Sequence, residues 1–365
     1  MFDFLRSWYR RYFTDPQASL LAVLLVISFI VVFTMGKMLA PLLAAIIIAY
    51  LLEGPVQKLE KINATRIVSV NIIFFLFIAF MGLLLFGLMP ILWSQLTQFF
   101  QEVPNMINKG QGLLSQLPHK YPEFISEQAV TDVMNEIRGG LTEIGQNVLS
   151  ISVASIPAII TVLVYLILVP LMIFFFLKDK HEIILWMSRF LPTERKLVTA
   201  IWHEMDAQIG NYVRGKFNEI LIVGITSFIV FLLMGLNYAP LLAIIVGLSV
   251  LIPYIGAAVV TLPVAFVGYI QWGLEPSFYW LMAWYFVLQF LDGNVLVPLL
   301  FSDAVNLHPI AIIVAILVFG GLWGFWGVFF AIPLATLVKA LINIWPTTGQ
   351  ETVSGNQDSE NNPAV

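Results

Sequence analysis

The sequence contains no cysteine in its 365 residues, and only 11% of those residues are charged. Without cysteine the chain forms no disulfide, has no thiol nucleophile and holds no metal through thiolates. Soluble domains carry about a quarter charged residues and about half apolar ones, whereas 59% of this chain is hydrophobic. The composition therefore predicts an integral membrane protein that contacts a lipid bilayer along most of its length.

Motifs for catalysis, metal binding and nucleic-acid binding are also missing. The four histidines, His119, His181, His203 and His308, do not have the spacing of paired metal ligands. Neither a Gly-x-Ser-x-Gly sequence nor a phosphate-binding glycine loop is present, and the basic residues form no stripe with exposed aromatics. We expect no enzyme activity, no cofactor, no metal and no nucleic-acid partner.

Long apolar runs predict an all-α polytopic protein with about eight transmembrane segments. A run of about 20 apolar residues crosses a hydrocarbon core of roughly 30 Å. The predicted order along the chain is an N-terminal cytoplasmic anchor (1–16), transmembrane segments 1–3 (17–92), an extracytoplasmic amphipathic helical domain (93–150), transmembrane segment 4 (151–177), a cytoplasmic helical segment (178–218), transmembrane segments 5–8 (219–345) and a disordered cytoplasmic tail (346–365).

The sequence predicts two helix ends, one at Glu53-Gly54-Pro55 and one near Gly215. The first apolar run ends near Met35, and a second, starting at Met38, is expected to stop at Glu53-Gly54-Pro55. In the charged segment after Lys178, apolar residues recur every four positions from Leu197 to Ile209, which is typical of an amphipathic helix with one packed face. We expect that helix to end near Gly215.

The distribution of lysine and arginine predicts the orientation. Three of these residues precede the first span, three lie from Lys58 to Arg66, and seven lie from Lys178 to Lys216. Positive charges concentrate on the cytoplasmic side, so we expect both termini in the cytoplasm. This assignment requires 240–270 to count as one crossing, and the sequence leaves open whether that segment crosses once or re-enters.

The C-terminal apolar run from Tyr238 to Trp345 contains the candidate transport residues. Its only acids are Glu275, Asp292 and Asp303. An ionised carboxylate inside a span costs at least about 2.5 kcal/mol and usually faces a cavity, a partner or an ion path. Asp292 is therefore the first candidate for ion coupling, and an interhelical hydrogen bond is the structural alternative.

The residues after Asp292 extend this candidate site. Gly293 leaves room, Asn294 offers a donor and an acceptor, and Pro298 is expected to free the carbonyl of Asn294 from its helical bond. A carboxylate, an amide and a free carbonyl within one turn can coordinate a cation or bind a polar solute.

A second candidate is the break at Pro253-Tyr254-Ile255-Gly256. Pro253 interrupts the helix, Gly256 permits a tight turn and Tyr254 can direct a hydroxyl inward. Non-helical backbone at membrane depth persists only where it is buried in protein or lines water. A loop at the membrane face is the alternative. By contrast, we expect Gly320, Gly324 and Gly327 to serve helix packing, because small residues let helices approach closely.

Several of these motifs, in this order, resemble the AI-2E family of bacterial transporters, also called PerM-type permeases. The relevant residues are Phe176-Leu177-Lys178-Asp179, Leu191-Pro192, Tyr212-Val213-Arg214-Gly215, Gly235-Leu236, Ile252 to Gly256, Asp292-Gly293-Asn294 with Pro298, Leu307-His308-Pro309, Gly320-Gly321 through Gly327, and Ile332-Pro333. The resemblance spans about 18–345. Two positions depart from the family pattern: Ala257 stands where proline is common, and Asp292 where glutamate is common.

The resemblance implies a multispanning inner-membrane protein that assembles as a homo-oligomer. It also implies export of a small polar solute such as autoinducer-2, or sodium(lithium)/proton antiport. From the residues alone, a third hypothesis stays open: an oligomeric scaffold or envelope-assembly factor that uses 93–150 and 192–216 without transport. An acid beside two helix breaks favours transport, coupled to a proton or a monovalent cation.

Overall fold

A computed structural model describes residues 16–114, 156–190, 196–301 and 307–344, with a few helical positions between 128 and 140. All regular secondary structure in these ranges is helical. The helices are α1 (Pro16–Glu60), α2 (Arg66–Leu83), α3 (Met89–Leu114), α4 (Ile156–Lys178), α5 (Lys180–Ser188), α6 (Lys196–Leu233), α7 (Ala239–Ser249), α8 (Ile255–Trp272), α9 (Pro276–Leu291), α10 (Val297–Phe301), α11 (Pro309–Trp323), α12 (Phe325–Phe329) and α13 (Ala331–Ile344). Two π-helical segments join α2 to α3 (Leu84–Leu88, π1) and α9 to α10 (Asp292–Leu296, π2).

Several predicted segments lie outside the described residues. They are the N-terminal anchor up to residue 15, half of the predicted outer domain 93–150, Pro192, Asp303 and the tail.

The helices confirm an all-α polytopic membrane protein. Within the described ranges, six helical stretches are long and apolar enough to cross a bilayer, or seven if α4 and α5, bent by 81°, are one span. Three shorter apolar stretches, Ala239–Ser249, Pro309–Trp323 and Ala331–Ile342, add to them. The bend lies at Asp179, next to the boundary expected between transmembrane segment 4 and the charged segment.

The N-terminal segment differs from the sequence-based expectation. α1 is one helix of 45 residues, without a turn near Met38 and without the stop expected at Glu53-Gly54-Pro55. At 1.5 Å per residue it is about 68 Å long, more than twice the hydrocarbon core. The helix ends instead at the turn after Glu60, where Asn63 has φ +68°.

α6 also runs on beyond its expected end. It continues through Gly215 to Leu233, so the amphipathic helix and the fifth span are one helix of 38 residues. Its early turns place Ile201, Met205 and Ile209 against Leu21 and Leu337, which confirms the predicted apolar stripe.

The interrupted run 240–270 forms two helices, as Pro253 predicted. α7 has 11 residues, or about 16 Å, which is too short to cross the hydrocarbon core by itself. α8 has 18 residues and contains Pro263. The run after His308 also divides, into α11, α12 and α13.

The described chain forms two compact units. One combines Met1–Leu43, Asp179–Tyr212 and Asp303–Val365, and the other combines Ala44–Lys178 and Val213–Ser302. In the first, the Tyr212 hydroxyl donates to the Phe329 carbonyl over 2.8 Å. In the second, one buried core gathers Val223, Phe231, Val246, Val264 and Tyr285. The candidate transport residues lie in this second unit.

Close backbone approach holds α6 and α7 together in the second unit. A Cβ placed on Gly247 would lie 2.9 Å from the Ile220 carbonyl oxygen and 3.0 Å from the Gly224 Cα. Only glycine fits at this crossing, which brings α7, and the break that follows it, next to α6.

Candidate functional site

Asp292 begins a π-helical segment inside an apolar span. The N–H of Val297 donates to the carbonyl of Asp292 five residues earlier, and Pro298 follows. We expected Pro298 to free a carbonyl within an α-helix; the structure widens the preceding turn into a π-helix. π1 has the same arrangement, with Met89 donating to Leu84 just before Pro90. Because proline cannot donate a backbone hydrogen bond, the turn before it is easily widened.

Two side chains of π2 have distinct surroundings. The Oδ1 atom of Asp292 is buried and has no hydrogen-bond partner among the described residues. The Asn294 amide nitrogen donates to the Phe290 carbonyl of the preceding turn over 2.9 Å. A Cβ on Gly293 would meet nothing within 4 Å, as expected for a residue that leaves room.

Lys216 and Glu219 on α6 are two buried charges that sequence reasoning missed. They are 4% and 2% exposed, and Lys216 Nζ lies 2.7 Å from Glu219 Oε2. Lys216 also donates to the Val250 carbonyl over 2.8 Å. Both residues lie within electrostatic range of Asp292. The result is a cluster of two acids and one base inside the membrane-spanning unit.

The end of α10 packs onto this cluster. The Phe301 ring lies 5.2 Å from Lys216 Nζ, measured to the ring centroid, within the range of cation–π attraction. A Cβ on Gly215 would lie 2.6 Å from the Phe301 Cε1 atom, so glycine at this position lets the ring reach the lysine.

The break between α7 and α8 is tight and specific. Tyr254 has φ +63°, the Ile255 N–H donates to the Pro253 carbonyl over 2.7 Å, and the Gly256 N–H donates to the Ile252 carbonyl over 2.8 Å. We assigned the unusual backbone conformation to Gly256, but the positive φ belongs to Tyr254. Gly256 is needed because a Cβ there would collide with the carbonyl oxygen of Ser249.

Tyr254 itself is 60% exposed, so its side chain does not enter the protein core.

A row of polar side chains runs between α8 and α9. The Thr261 hydroxyl donates to the Ala257 carbonyl over 2.7 Å and lies 3.2 Å from the Tyr285 hydroxyl. The Gln289 amide donates to Tyr285 over 3.1 Å. Tyr285 is 0% exposed. The row starts just after Gly256 and ends one helical turn before Asp292, so it lies between the two candidate segments.

The three packing glycines divide into two roles. A Cβ on Gly320 would lie 2.8 Å from Val328, and one on Gly327 would collide with the Phe319 carbonyl, so both stand at close approaches. Gly324 has φ +59° and open space around its Cα. It therefore supplies the turn between α11 and α12 and does not form a packing face with Gly320.

A second charged cluster lies where α1, α2 and α4 meet. Arg66 Nη2 lies 3.0 Å from Glu53 Oε2 and donates to the Leu177 carbonyl over 2.6 Å, and Arg66 Nη1 lies 3.3 Å from Glu60 Oε1. Glu53 is 8% exposed and also accepts from Gln57. Thus Glu53, which belongs to the sequence expected to stop α1, instead binds Arg66, which also binds the end of α4.

Two other polar residues of the C-terminal apolar run have local roles. Gln271 accepts from the Asn237 N–H and donates to the Gly235 carbonyl, both over 2.8 Å, so it stabilises the turn between α6 and α7. Glu275 precedes α9 as its N-cap residue. Neither residue contacts the candidate transport segments through these bonds.

Lys216 is the residue that relates the two predicted segments. It contacts Val250, just before the Pro253 break, and Phe301, three residues after Pro298. The sequence does contain a sign of this role. Lys216 and Glu219 form an opposite-charge pair spaced i, i+3 at the start of an apolar run. We had counted Lys216 with the cytoplasmic charges.

Taken together, a multi-pass helical bundle with broken helices and buried charges has the architecture of a membrane permease. The family model for "AI-2E family transporter" matches residues 20–347. This chain belongs to the AI-2E transporter family.

Two similar proteins have names that fit this family. The chain is 47% identical over 346 residues to "Putative permease PerM" of Escherichia coli (strain K12), a match that covers 95% of this chain and 98% of the relative. It is 28% identical over 305 residues to "Putative transport protein YueF" of Bacillus subtilis (strain 168), with 82% of each chain covered.

Proposed function

We propose that this protein is a secondary transporter of the bacterial inner membrane that moves a small polar solute and uses Asp292 to bind a coupling proton or cation. The observation that supports the proposal most is the buried Oδ1 atom of Asp292, without a hydrogen-bond partner among the described residues and within electrostatic range of Lys216. A structural aspartate in a span would be expected to spend both oxygens on partners. This one retains a buried acceptor.

The neighbouring residues supply the rest of the proposed site. Asn294 and the backbone before Pro298 would bind the solute, with Gly293 leaving space. The Asn294 amide now donates to Phe290, so it would exchange an intrahelical bond for one to the solute. Tyr254, exposed at the break after Pro253, would act as a gate, and Gly256 would keep the break tight against Ser249.

The polar row between α8 and α9 supports a path between these segments. Thr261, Tyr285 and Gln289 place hydrogen-bonding groups from the Ala257 carbonyl to within one turn of Asp292. In an apolar bilayer such groups are costly unless they are satisfied. We propose that they border the route of the solute or the proton.

Sodium(lithium)/proton antiport is the second candidate function. It is favoured by the charge balance of the cluster, in which Glu219 and Asp292 face one base, Lys216. A site with two acids and one base can exchange a proton for a monovalent cation. For the solute pathway, the substrate that family resemblance suggests is a small polar molecule similar to autoinducer-2.

Orientation and assembly belong to the same proposal. Both termini would lie in the cytoplasm, on the side of the charges from Lys178 to Lys196, and the protein would act as a homo-oligomer. Reporter fusions after Ile344 and within 93–150 test the orientation, because the proposal places these two sites on opposite sides of the membrane.

The proposal is tested with everted vesicles from a strain that lacks the gene and expresses either wild type or Asp292→Asn. Untargeted metabolite comparison of deletion and overexpression strains first identifies the solute. We expect Asp292→Asn to abolish transport and its dependence on pH. Normal transport in this variant would remove Asp292 from the mechanism. If Asp292→Asn is harmless to the cell whereas deletion of 93–150 is harmful, the scaffold hypothesis is favoured.

A further inference from the structure

Lys216 is an almost fully buried lysine whose ammonium has three different partners. It contacts the Glu219 carboxylate at 2.7 Å, the Val250 carbonyl at 2.8 Å and the Phe301 ring at 5.2 Å from the centroid. A carboxylate, a carbonyl and an aromatic face together form a binding site for a monovalent cation. In this structure the protein's own ammonium fills it.

The three partners belong to three different parts of the chain. Glu219 is on α6 with Lys216, Val250 directly follows α7, and Phe301 is the last residue of α10. Val250 leads into the break at Pro253 and Gly256, while Phe301 lies just beyond π2. One ammonium therefore holds both broken segments against α6.

A second acid lies near the Lys216–Glu219 pair. Asp292 also lies within electrostatic range of Lys216, and its Oδ1 atom has no hydrogen-bond partner in the described ranges. Lys216 pairs directly with Glu219, and no ion pair of Asp292 is found among the described residues. A cation that entered between Glu219 and Asp292 would compete with Nζ for the Glu219 carboxylate and would find a free acceptor on Asp292.

Lysine suits such an exchange better than arginine does. Its ammonium is a compact charge on a flexible stem, whereas guanidinium binds carboxylates in a fixed fork. The contrast appears in this molecule, where Arg66 binds Glu53, Glu60 and the Leu177 carbonyl through its two terminal nitrogens.

We propose that Lys216 is the positioning residue of the transport site: its ammonium holds the segments around Val250 and Phe301 together and is displaced from Glu219 by the coupling cation. Displacement frees the break after α7 to open. The cation part of this inference rests on the proposed function, whereas the contact that closes the break does not.

The absence of native cysteine allows a direct test. Ser249 is buried and its hydroxyl donates to the Val246 carbonyl over 2.7 Å, at the residue that Gly256 packs against. Ser249→Cys therefore reports opening of the break through the rate at which its thiol reacts with a maleimide in purified, reconstituted protein. Ser94→Cys, exposed on α3, is the control for reagent access.

Lys216→Met leaves Glu219 buried without its cation and is expected to fold poorly. The double variant Lys216→Met with Glu219→Gln removes both charges, so no charge is left buried alone. It is made in the Ser249→Cys protein and in the Ser94→Cys protein, which are the parents for comparison. In it we expect the thiol of Ser249→Cys to react about tenfold faster than in the parent, which corresponds to a weakening of about 1.4 kcal/mol, while the thiol of Ser94→Cys reacts at an unchanged rate. Lys216→Arg is expected to keep the parent's slow reaction but to lose its response to cation.

Sodium and lithium chloride, with choline chloride at equal ionic strength, complete the experiment. Sodium or lithium should accelerate labelling of the Ser249→Cys thiol in the parent and have no effect in the double variant. Equal labelling rates in parent and double variant would overturn the inference even if Asp292-dependent transport is observed. Conversely, faster labelling in the double variant with no Asp292-dependent flux would leave the closing contact in place and refute the transport proposal.

Discussion

Lys216 and Glu219 lie one turn apart on the same helix, with 2.7 Å between Nζ and Oε2, inside an apolar stretch that runs from Val198 to Leu233. Burying two charges costs several kcal/mol each unless their partners compensate. The Val250 carbonyl and the Phe301 ring provide that compensation for the lysine. The ion pair thereby fixes where the two broken segments meet α6.

Gly256→Ala is expected to destabilise the protein by about 1–3 kcal/mol, because the new Cβ collides with the Ser249 carbonyl and the backbone must shift. Thermal melting of the detergent-purified protein measures the effect. Gly82→Ala is the matched control, since a Cβ there meets nothing within 4 Å. Equal melting temperatures for the two variants would refute the close packing of the break.

Gly324→Ala should cost about 1–3 kcal/mol through backbone strain, because φ +59° with ψ −133° is rarely adopted by residues other than glycine. Gly321→Ala, inside α11 with open space around it, should leave stability unchanged or raise it by up to about 1 kcal/mol. If Gly324→Ala is as stable as Gly321→Ala, the turn between α11 and α12 is not required.

Tyr285→Phe removes the hydroxyl that joins Thr261 and Gln289. We expect the transport rate to fall at least severalfold, while the free energy of unfolding drops by only roughly 1 kcal/mol. Tyr279→Phe on the exposed side of α9 is the control and should have wild-type flux. Flux assays and melting curves on the same variants separate the effect on transport from the effect on stability. Full flux in Tyr285→Phe would mean that the polar row between α8 and α9 has a structural role only.

Arg66→Lys keeps the positive charge but cannot bind Glu53, Glu60 and the Leu177 carbonyl together. We expect a loss of about 1–3 kcal/mol in stability. The exposed Lys58→Gln, near the end of α1, should change stability by less than about 0.5 kcal/mol. Melting curves that coincide for Arg66→Lys and wild type would show that the guanidinium geometry is unimportant.

Apolar runs and prolines were the parts of the sequence that predicted the fold well. The break at Pro253 appears in the structure, because a missing backbone donor has a local effect. Pro55 does not end α1, however. There Glu53, Gln57 and Arg66 stabilise the continuing helix, and that tertiary contact is invisible in the local sequence.

The candidate site was predictable only in part. Asp292 stands out because it is an acid within an apolar run. Lys216 and Glu219 sit near the start of such a run, where charges usually belong to the membrane edge. Only the continuity of α6 past Gly215 places them inside the unit. Likewise, the spacing of Gly320 and Gly324 suited packing, but the positive φ of Gly324 depends on the fold.

The central claim is that Asp292 binds the ion that drives transport. The most direct measurement is flux in proteoliposomes that contain only the purified protein, with an internal pH-sensitive dye and an imposed pH gradient. The account predicts that sodium, lithium or the identified solute dissipates the gradient with wild type and with Asp292→Glu, and fails to do so with Asp292→Asn. Equal dissipation by Asp292→Asn and wild type would contradict it.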